Sequence, residues 1–187
     1  MVRVGIIGMG IRGRLYGRAI MQNPKAELAG FADINPKILK EAEEFFNVKG
    51  TTDYRELLGK DLNAVIIATP DFAHTEPAIE AIKRGYHVMV EKPLAMSVEE
   101  AERVIEEAEK QDIKAQVAFE NRWNSPFIMV KSSIDSGEFG DIYGMRITLN
   151  DSIYVPTRMI SWAARSSPAW FLMSHCVDMS LWLTRKR

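Results

Sequence analysis

The sequence of 187 residues predicts an α/β fold, in which a doubly wound parallel sheet is followed by an incomplete α+β domain. Over the first two thirds of the chain, short apolar and β-branched runs alternate with helical patterns, as in a series of βαβ units. These runs are almost continuously apolar, which is typical of parallel strands that helices cover on both faces. We therefore expect a first domain at 1–118 and part of a second at 119–187.

Five strands are predicted in the first domain, near Val2–Ile7, Glu27–Ala32, Ala64–Ala68, His87–Val90 and Lys114–Ala118. Helices are predicted near residues 11–22, 36–46, 54–58, 73–84 and 97–110. Asn35 before Pro36 has the residue types of an N-cap and a first helical turn. Ser97 and Glu100 have the spacing of a capping box, which supports the start of the last of these helices.

The pattern changes after residue 118. A helix that begins at Ser125 and Pro126 and ends before Gly137 is followed by an alternating strand over about Asp141 to Asn150. A further helix is predicted from Ser167 and Pro168, because apolar and polar residues recur there at spacings of three and four. Its shared face holds Phe171, His175, Asp178, Met179 and Trp182.

The second domain thus has one predicted strand, and one strand cannot satisfy its own backbone hydrogen bonds. We expect the segment 141–150 to pair with a second copy or with another chain that completes the domain. Otherwise the chain should be flexible beyond about Ala118.

Composition excludes several classes of function. Lys and Arg number 24 and Asp and Glu number 25, a net charge of −1, so no nucleic acid or anionic membrane is expected as a partner. The single cysteine, Cys176, cannot form an internal disulfide and has no zinc-ligand spacing around it. The apolar run Val4 to Ile11 resembles neither a signal peptide nor a membrane span. We expect a cytoplasmic protein with a small-molecule partner and no metal site.

Residues 8–13 read Gly-Met-Gly-Ile-Arg-Gly, directly after the first strand and at the start of the first helix. In the Rossmann dinucleotide-binding turn, Gly8 would permit the tight turn and Gly10 the approach of a pyrophosphate. Gly13 would let the helix pack closely on the strand. A glycine-rich turn without a ligand is the alternative interpretation.

Asp33 ends the second strand, 20 residues after Gly13, where an acidic side chain accepts hydrogen bonds from an adenosine ribose. A carboxylate there repels a 2′-phosphate, so NAD is favoured over NADP. Alternatively, Asp33 is a turn residue before Pro36, and it could serve both roles.

Two more turns follow strands at the edge where open α/β sheets bind ligands. Thr69 and Pro70 follow the third predicted strand, and a strand-ending turn is the plain interpretation of that pair. Glu91 and Lys92 follow the fourth, where an ammonium group could polarise a substrate oxygen. A solvated Glu-Lys pair is the alternative.

Together these residues resemble the glucose-fructose oxidoreductase and inositol dehydrogenase family, Gfo/Idh/MocA. The resemblance rests on residues 8–13, on Phe31-Ala32-Asp33, on Ala68-Thr69-Pro70 with His74, and above all on Glu91-Lys92-Pro93. It continues through Asn121-Arg122-Trp123, Gly137-Glu138-Phe139-Gly140-Asp141-Ile142 and Ser174-His175-Cys176-Val177-Asp178. The ordered set is more specific than any one of these motifs.

The resemblance implies an NAD(P)-binding Rossmann domain and a dehydrogenase that acts on CH-OH groups. It implies catalytic roles for Lys92, at the substrate hydroxyl, and for His175, in proton transfer. It implies substrate contacts by Lys92, Arg122, His175 and Asp178. The implied cofactor-binding residues are Gly8, Gly10, Ile11, Arg12, Gly13, Asp33, Thr69, Pro70, His74, Glu91 and Lys92. The alternative for His74 is a surface position in a first helical turn.

The chain departs from the family in two ways. Phe171 stands where members commonly carry an aspartate, which suggests a subgroup with a different substrate. Members also continue for about as many residues again, so we expect a truncated second domain.

The leading hypothesis is an NAD-dependent oxidoreductase that transfers a hydride between the nicotinamide and a sugar, cyclitol or related polyol. One alternative is a glycosidase that uses bound NAD for a transient oxidation. Another is an inactive nucleotide-binding remnant, because much of the second domain is missing. A homo-oligomer, or a second chain that completes the domain, is expected.

Overall fold

The computed structural model describes residues 1–149 and 177–181, and the chain divides into two units, Met1–Ala118 and Phe119–Arg187. The strands of the first unit are β1 (Val2–Ile7), β2 (Ala26–Ala32), β3 (Gly50–Thr51), β4 (Ala64–Ile67), β5 (His87–Val90) and β6 (Ala115–Val117). Its helices are α1 (Ile11–Gln22), α2 (Pro36–Phe46), α3 (Tyr54–Leu57), α4 (Thr75–Lys83) and α5 (Val98–Lys110). A 3₁₀ turn, Asp71–Ala73, precedes α4.

The strands of this unit form one parallel sheet in the order β3-β2-β1-β4-β5-β6. The chain builds one half of the sheet outward from β1 and then returns to the other side of β1 to build the second half. Such a reversal opens a crevice beyond the carboxyl ends of the two strands that flank it, here β1 and β4. The predicted doubly wound Rossmann sheet is confirmed.

Apolar side chains cover both faces of the sheet. On one face the buried cluster joins β1 and β2 to the helices α1 and α2 through residues that include Ile6, Ile20, Phe31, Ala42 and Phe46. On the other face it joins β4 and β5 to α3, α4 and α5 through residues that include Leu57, Val65, Ile82, Val90 and Val104. Burial on both faces explains why the strands are continuously apolar in sequence.

The sequence predicted most element bounds of this unit closely, and α1, α2 and β5 match their predictions. Asn35 caps α2 by accepting from the amides of Lys37 (3.0 Å) and Ile38 (3.4 Å), and Ser97 accepts from the amide of Glu100 (3.2 Å) at the start of α5. Strand β3 was not predicted. Its two residues are too few for a hydrophobic period, and only their pairing with β2 makes them a strand.

In the second unit a 3₁₀ turn, Glu120–Trp123, leads into α6 (Ser125–Asp135), and strand β7 (Met145–Leu149) follows. The predicted helix and strand are therefore present, although the strand is shorter than expected. β7 pairs in antiparallel register with β8 (Val177–Leu181).

Strand β8 corrects two expectations. The prediction that the strand near 141–150 has no partner within the chain is wrong, because β8 supplies the backbone groups that pair with β7. The predicted helix is also wrong where it overlaps β8, so Asp178 and Met179 lie on a strand. Val177, Met179 and Leu181 alternate with polar residues, a period of two that suits a strand once a partner is present.

The rest of that predicted helix, including Phe171, His175 and Trp182, lies outside the described residues. Self-association through the second unit stays a prediction. Within the described residues, no helix combines the length and apolar character needed to cross a membrane. The same residues contain no group of three or more His, Cys, Asp or Glu side chains placed to hold a metal ion.

Candidate functional site

The carboxyl edge of the sheet brings most of the predicted cofactor-binding residues into one row. The last residues of β2, β1, β4 and β5 are paired with one another across the sheet. The amide of Gly8 donates to the carbonyl of Ala32 (2.8 Å), and the amide of Glu91 donates to that of Ile67 (2.9 Å). The residues that directly follow these four strands therefore lie side by side. In sheet order they are Asp33, Gly8, Ala68 and Glu91, and we call this set the row.

The three glycines of the loop between β1 and α1 meet different surroundings. Gly8 has φ +92°, and a Cβ there would lie 2.6 Å from the carbonyl oxygen of Ala68. A Cβ on Gly13 would lie 1.9 Å from the carbonyl oxygen of Gly8, so only glycine lets α1 pack against this loop. A Cβ on Gly10 would meet nothing within 4 Å. Packing thus accounts for Gly8 and Gly13, whereas Gly10 leaves open space in front of the helix.

The open space at Gly10 faces the beginning of α1. Gly10 is the N-cap, and as a glycine it has no side chain that could accept from the first amides of the helix. The first intrahelical bond runs from the amide of Arg14 to the carbonyl of Gly10 (3.1 Å). The amides of the preceding turn, including those of Ile11 and Gly13, have no acceptor within the helix. Such a helix end attracts an anion through its N-H groups and its dipole.

Asp33 holds the glycine loop against the end of β2. Its Oδ2 accepts from the amide of Met9 (2.8 Å) and its Oδ1 accepts from the amide of Asn35 (2.8 Å). Asp33 is thus the turn residue that one interpretation predicted. Each carboxylate oxygen has more than one lone pair, so the side chain can still accept from a ribose hydroxyl. The hydrogen bond from the Met9 amide was not predicted, because the residues around Asp33 in the sequence do not indicate which distant amide will donate to it.

Arg14 supports the same loop from its other side. Its Nε donates to the carbonyl of Met9 (3.1 Å), and its guanidinium donates to Glu41 of α2 (2.8 Å). The hydrogen bond from Arg14 lowers the pKa of Glu41 from its ordinary value. Arg14 was not among the residues predicted from the sequence, although a basic residue one turn into the helix that follows the glycine loop was a visible signal.

Glu91 is almost buried, at 6% exposed, and connects α1 to the turn that follows β5. Its Oε1 accepts from the hydroxyl of Tyr16 (2.5 Å) and lies 3.4 Å from Nε of Arg12. Its Oε2 accepts from the amide of Lys92 (3.2 Å). The solvated Glu-Lys pair that formed the alternative is therefore wrong for Glu91. Tyr16 is a further residue that sequence reasoning missed, although it lies one turn after Arg12 on α1.

His74 joins the two turns that follow β4 and β5. Its ring is 1% exposed, with Nδ1 2.7 Å from the carbonyl oxygen of Pro93 and Nε2 2.9 Å from that of Thr69. The hydroxyl of Thr69 donates to the carbonyl of Ala73 (2.9 Å), which closes the turn that contains Pro70. The alternative that placed His74 at the surface is wrong, because the packed turn encloses it.

The remaining predicted residues belong to the second unit. Arg122 lies in the 3₁₀ turn before α6, with its guanidinium 5.6 Å from the centre of the Phe119 ring. Asp178 lies on β8, and His175 is outside the described residues. The structure thus brings together the predicted residues of the first unit, and the roles of these three stay predictions.

Comparison with known proteins gives consistent results. The model of the Gfo/Idh/MocA family, described as an oxidoreductase family with an NAD-binding Rossmann fold, matches residues 2–119. A glucose-6-phosphate 3-dehydrogenase of Bacillus subtilis is 31% identical over 87% of this chain and 46% of its own. A myo-inositol 2-dehydrogenase of Thermotoga maritima is 30% identical over 80% of this chain and 46% of its own.

Among solved structures, the WlbA dehydrogenase of Bordetella pertussis, in complex with NADH and UDP-GlcNAcA, aligns with a TM-score of 0.72 and 32% identity. The alignment covers 76% of this chain and 44% of that one. The chain spans about half the length of the curated relatives it matches.

Proposed function

The chain belongs to the Gfo/Idh/MocA oxidoreductase family, and from that membership we propose that it is the cofactor-binding part of an NAD-dependent dehydrogenase. The substrate class proposed is a sugar, cyclitol or related polyol. Two relatives with sugar phosphate and inositol dehydrogenase names support this class, as does a neighbour whose structure contains a nucleotide sugar.

One observation supports the proposal above all others: the loop that begins at Gly8, beside Asp33 and where the strand order reverses, leads to an open helix end at Gly10. This crevice is where doubly wound sheets bind nucleotides. A Cβ at Gly10 would occupy the space that a pyrophosphate needs, and the loop around it is held in place by Asp33 and Arg14. The residues present therefore fit a dinucleotide.

NAD, when bound, supplies the nicotinamide ring that exchanges a hydride with the substrate carbon. The amides at the start of α1 would hold the pyrophosphate, and Asp33 would accept from the adenosine ribose. In NADP the negatively charged 2′-phosphate would face the Asp33 carboxylate and be repelled by it. We therefore propose a preference for NAD.

The proton chemistry is assigned to Lys92 and His175. Lys92 follows β5, and its amide is held by Glu91 (3.2 Å), so its position along the row is set by a buried group. An ammonium there would hydrogen-bond the substrate hydroxyl and favour its alkoxide form. His175 is proposed as the group that takes up the hydroxyl proton, and Arg122 and Asp178 as substrate contacts, all on the family pattern.

The test is a titration of the purified chain with NADH and NADPH, followed by nicotinamide fluorescence. We expect saturable NADH binding and weaker NADPH binding. Incubation with NAD and a panel of cyclitols and sugar phosphates should then produce NADH in proportion to the alcohol consumed. No binding of either dinucleotide would overturn the proposal. Hydrolysis of glycosides added to the same panel, without net NADH, would indicate the transient-oxidation chemistry of a glycosidase instead.

A further inference from the structure

The hydroxyl of Tyr16 donates to the carboxylate of Glu91 at 2.5 Å. Tyr16 lies on α1, which follows β1, and Glu91 follows β5, with β4 between these two strands in the sheet. The hydrogen bond therefore connects the helix that begins at the glycine loop with the turn that contains Lys92.

The same carboxylate makes two further contacts. Its Oε1 lies 3.4 Å from Nε of Arg12, and its Oε2 accepts from the amide of Lys92 at 3.2 Å. Arg12 and Tyr16 are four residues apart, so they lie on the same face of α1. One carboxylate thus links the first turn of α1, its second turn and the backbone of Lys92.

Burial makes these contacts important for the position of Glu91, whose side chain is 7% exposed. A carboxylate with so little access to water depends on donors from the protein, and hydrogen bonds to charged groups are stronger than neutral ones. The Tyr16 hydroxyl is the shortest of these contacts. Without it, Oε1 would keep the longer contact to Arg12, and the carboxylate would be held less firmly against the amide of Lys92.

We propose that Tyr16 is a positioning residue: through Glu91 it sets the place of Lys92 and couples it to the beginning of α1. The coupling to cofactor rests on the proposed function, since it requires that the start of α1 binds NAD. The positioning of Lys92 does not rest on it. When an anion occupies the helix end, any movement of the first turn is passed to Lys92 by Arg12, Tyr16 and Glu91.

If the Tyr16 hydroxyl only stabilised the fold, its removal would have the same effect as removal of another hydroxyl that bonds to a glutamate. Tyr54 provides that matched control. The hydroxyl of Tyr54 donates to Oε2 of Glu80 at 3.0 Å, which connects α3 with α4. Tyr16→Phe and Tyr54→Phe therefore delete the same atom from the same kind of bond. General loosening of the fold would appear in both variants, whereas an effect on Lys92 should appear only in Tyr16→Phe.

The first experiment uses the 187-residue chain without cofactor. Amide hydrogen exchange measured by NMR should be about tenfold faster at Lys92 in Tyr16→Phe than in the wild type, given the strength of hydrogen bonds to charged groups. The amides of Val88 and Ala118, which bond to backbone carbonyls at 3.0 and 2.8 Å, serve as the internal reference. Tyr54→Phe should leave the ratio of Lys92 to reference exchange unchanged.

The second experiment adds NADH to chains whose lysines carry ¹³C-methyl groups, with the Lys92 signal assigned by Lys92→Arg. At saturation, the signal should shift in the wild type and in Tyr54→Phe, and the shift should fall by at least about half in Tyr16→Phe, because one of the strong contacts to Glu91 is lost. If the wild type fails to bind NADH, the proposed function fails, and the exchange experiment alone decides the role of Tyr16.

Equal Lys92 exchange in the wild type and Tyr16→Phe would overturn the proposal, as would equal acceleration in both phenylalanine variants. If Tyr16→Phe does not fold, Glu91→Gln is used in its place. Glutamine keeps one acceptor oxygen, which should face Arg12 and Tyr16 because Arg12 can only donate. Its NH2 group then faces the amide of Lys92 and cannot accept from it, so exchange at Lys92 should rise there too. Wild-type exchange at Lys92 in a folded Glu91→Gln chain would also overturn the proposal.

Discussion

Oδ2 of Asp33 accepts a hydrogen bond from the amide of Met9 at 2.8 Å, so the residue expected to select the cofactor also holds the loop expected to bind its phosphates. The second oxygen accepts from Asn35 and forms the turn that leads into α2. Substitutions of Asp33 should therefore change both cofactor preference and the stability of the loop, and the experiments must separate the two effects.

We predict that the wild type binds NADH more tightly than NADPH and that Asp33→Asn narrows the preference. The variant loses the charge that repels the 2′-phosphate but keeps one carbonyl oxygen for the loop amide. Asp33→Ser should narrow the preference as well and also lower the free energy of unfolding by about 1 kcal/mol, since the hydrogen bond from the Met9 amide to a half-buried charged oxygen is lost. Fluorescence titrations at one ionic strength and urea unfolding measure the two effects. Equal or tighter NADPH binding by the wild type would remove Asp33 from this role.

Two glycine substitutions in one loop should have opposite consequences. Gly13→Ala places a Cβ 1.9 Å from the carbonyl oxygen of Gly8 and should lower the free energy of unfolding by about 3 kcal/mol or more. Gly10→Ala meets no atom within 4 Å and should change stability by less than about 1 kcal/mol. It should nevertheless weaken NADH binding by at least about tenfold, because the methyl group occupies the approach to α1. Wild-type NADH affinity in Gly10→Ala would contradict the assigned phosphate site.

His74→Phe should lower the free energy of unfolding by about 1–3 kcal/mol, because a buried phenyl ring has no N-H to donate to the carbonyl of Thr69 or of Pro93. His87 provides the control: it is exposed, and its Nδ1 accepts from the amide of Lys114 at 3.1 Å. His87→Phe should cost less than about 0.5 kcal/mol, since water can replace that bond. Urea unfolding compares the variants. Equal costs would mean that the His74 contacts do not hold the two turns together.

Lys92→Ala should lower the rate of alcohol oxidation by a factor of about a hundred to ten thousand while changing NADH affinity far less. His175→Ala should behave in the same way if His175 takes up the proton. Lys110→Ala, an exposed position at the end of α5, controls for the loss of a lysine charge. Steady-state rates and NADH titrations measure the two quantities. Near-normal turnover in a folded Lys92→Ala chain would exclude Lys92 from the mechanism.

Tyr54 should titrate at higher pH than an ordinary tyrosine, because burial and the hydrogen bond to Glu80 raise its pKa. A raised pKa in the folded state stabilises the fold fully below the ordinary tyrosine value. That contribution is lost as the pH rises through the folded-state value. Glu80→Gln should lower the pKa of Tyr54 by removing the adjacent negative charge. Tyrosinate absorbance, taken as the difference between each chain and its Tyr54→Phe form, measures the midpoint. An unchanged midpoint in Glu80→Gln would refute the assignment.

Local patterns in the sequence determined which segments of the first unit, apart from β3, become strands and helices, and which residues follow the strand ends. Gly8, Asp33 and Glu91 could be placed at strand ends because each directly follows a short and almost continuously apolar run. The caps at Asn35 and Ser97 could be read in the same way, since a cap depends on residues within one helical turn. These features require no knowledge of distant contacts.

Tertiary structure alone decided which of these groups touch. The bond from Met9 to Asp33 spans 24 residues and that from Tyr16 to Glu91 spans 75, so neither has a local signal. Strand β8 shows the same limit, because residues 177–181 fit a helical period as well as a strand period, and pairing with β7 selected the strand. The hydrophobic period indicates which face of a helix or strand is apolar. It does not indicate which other element packs against that face. The contacts of buried polar groups depend on how separate elements pack, and that is fixed only when the whole sheet has formed.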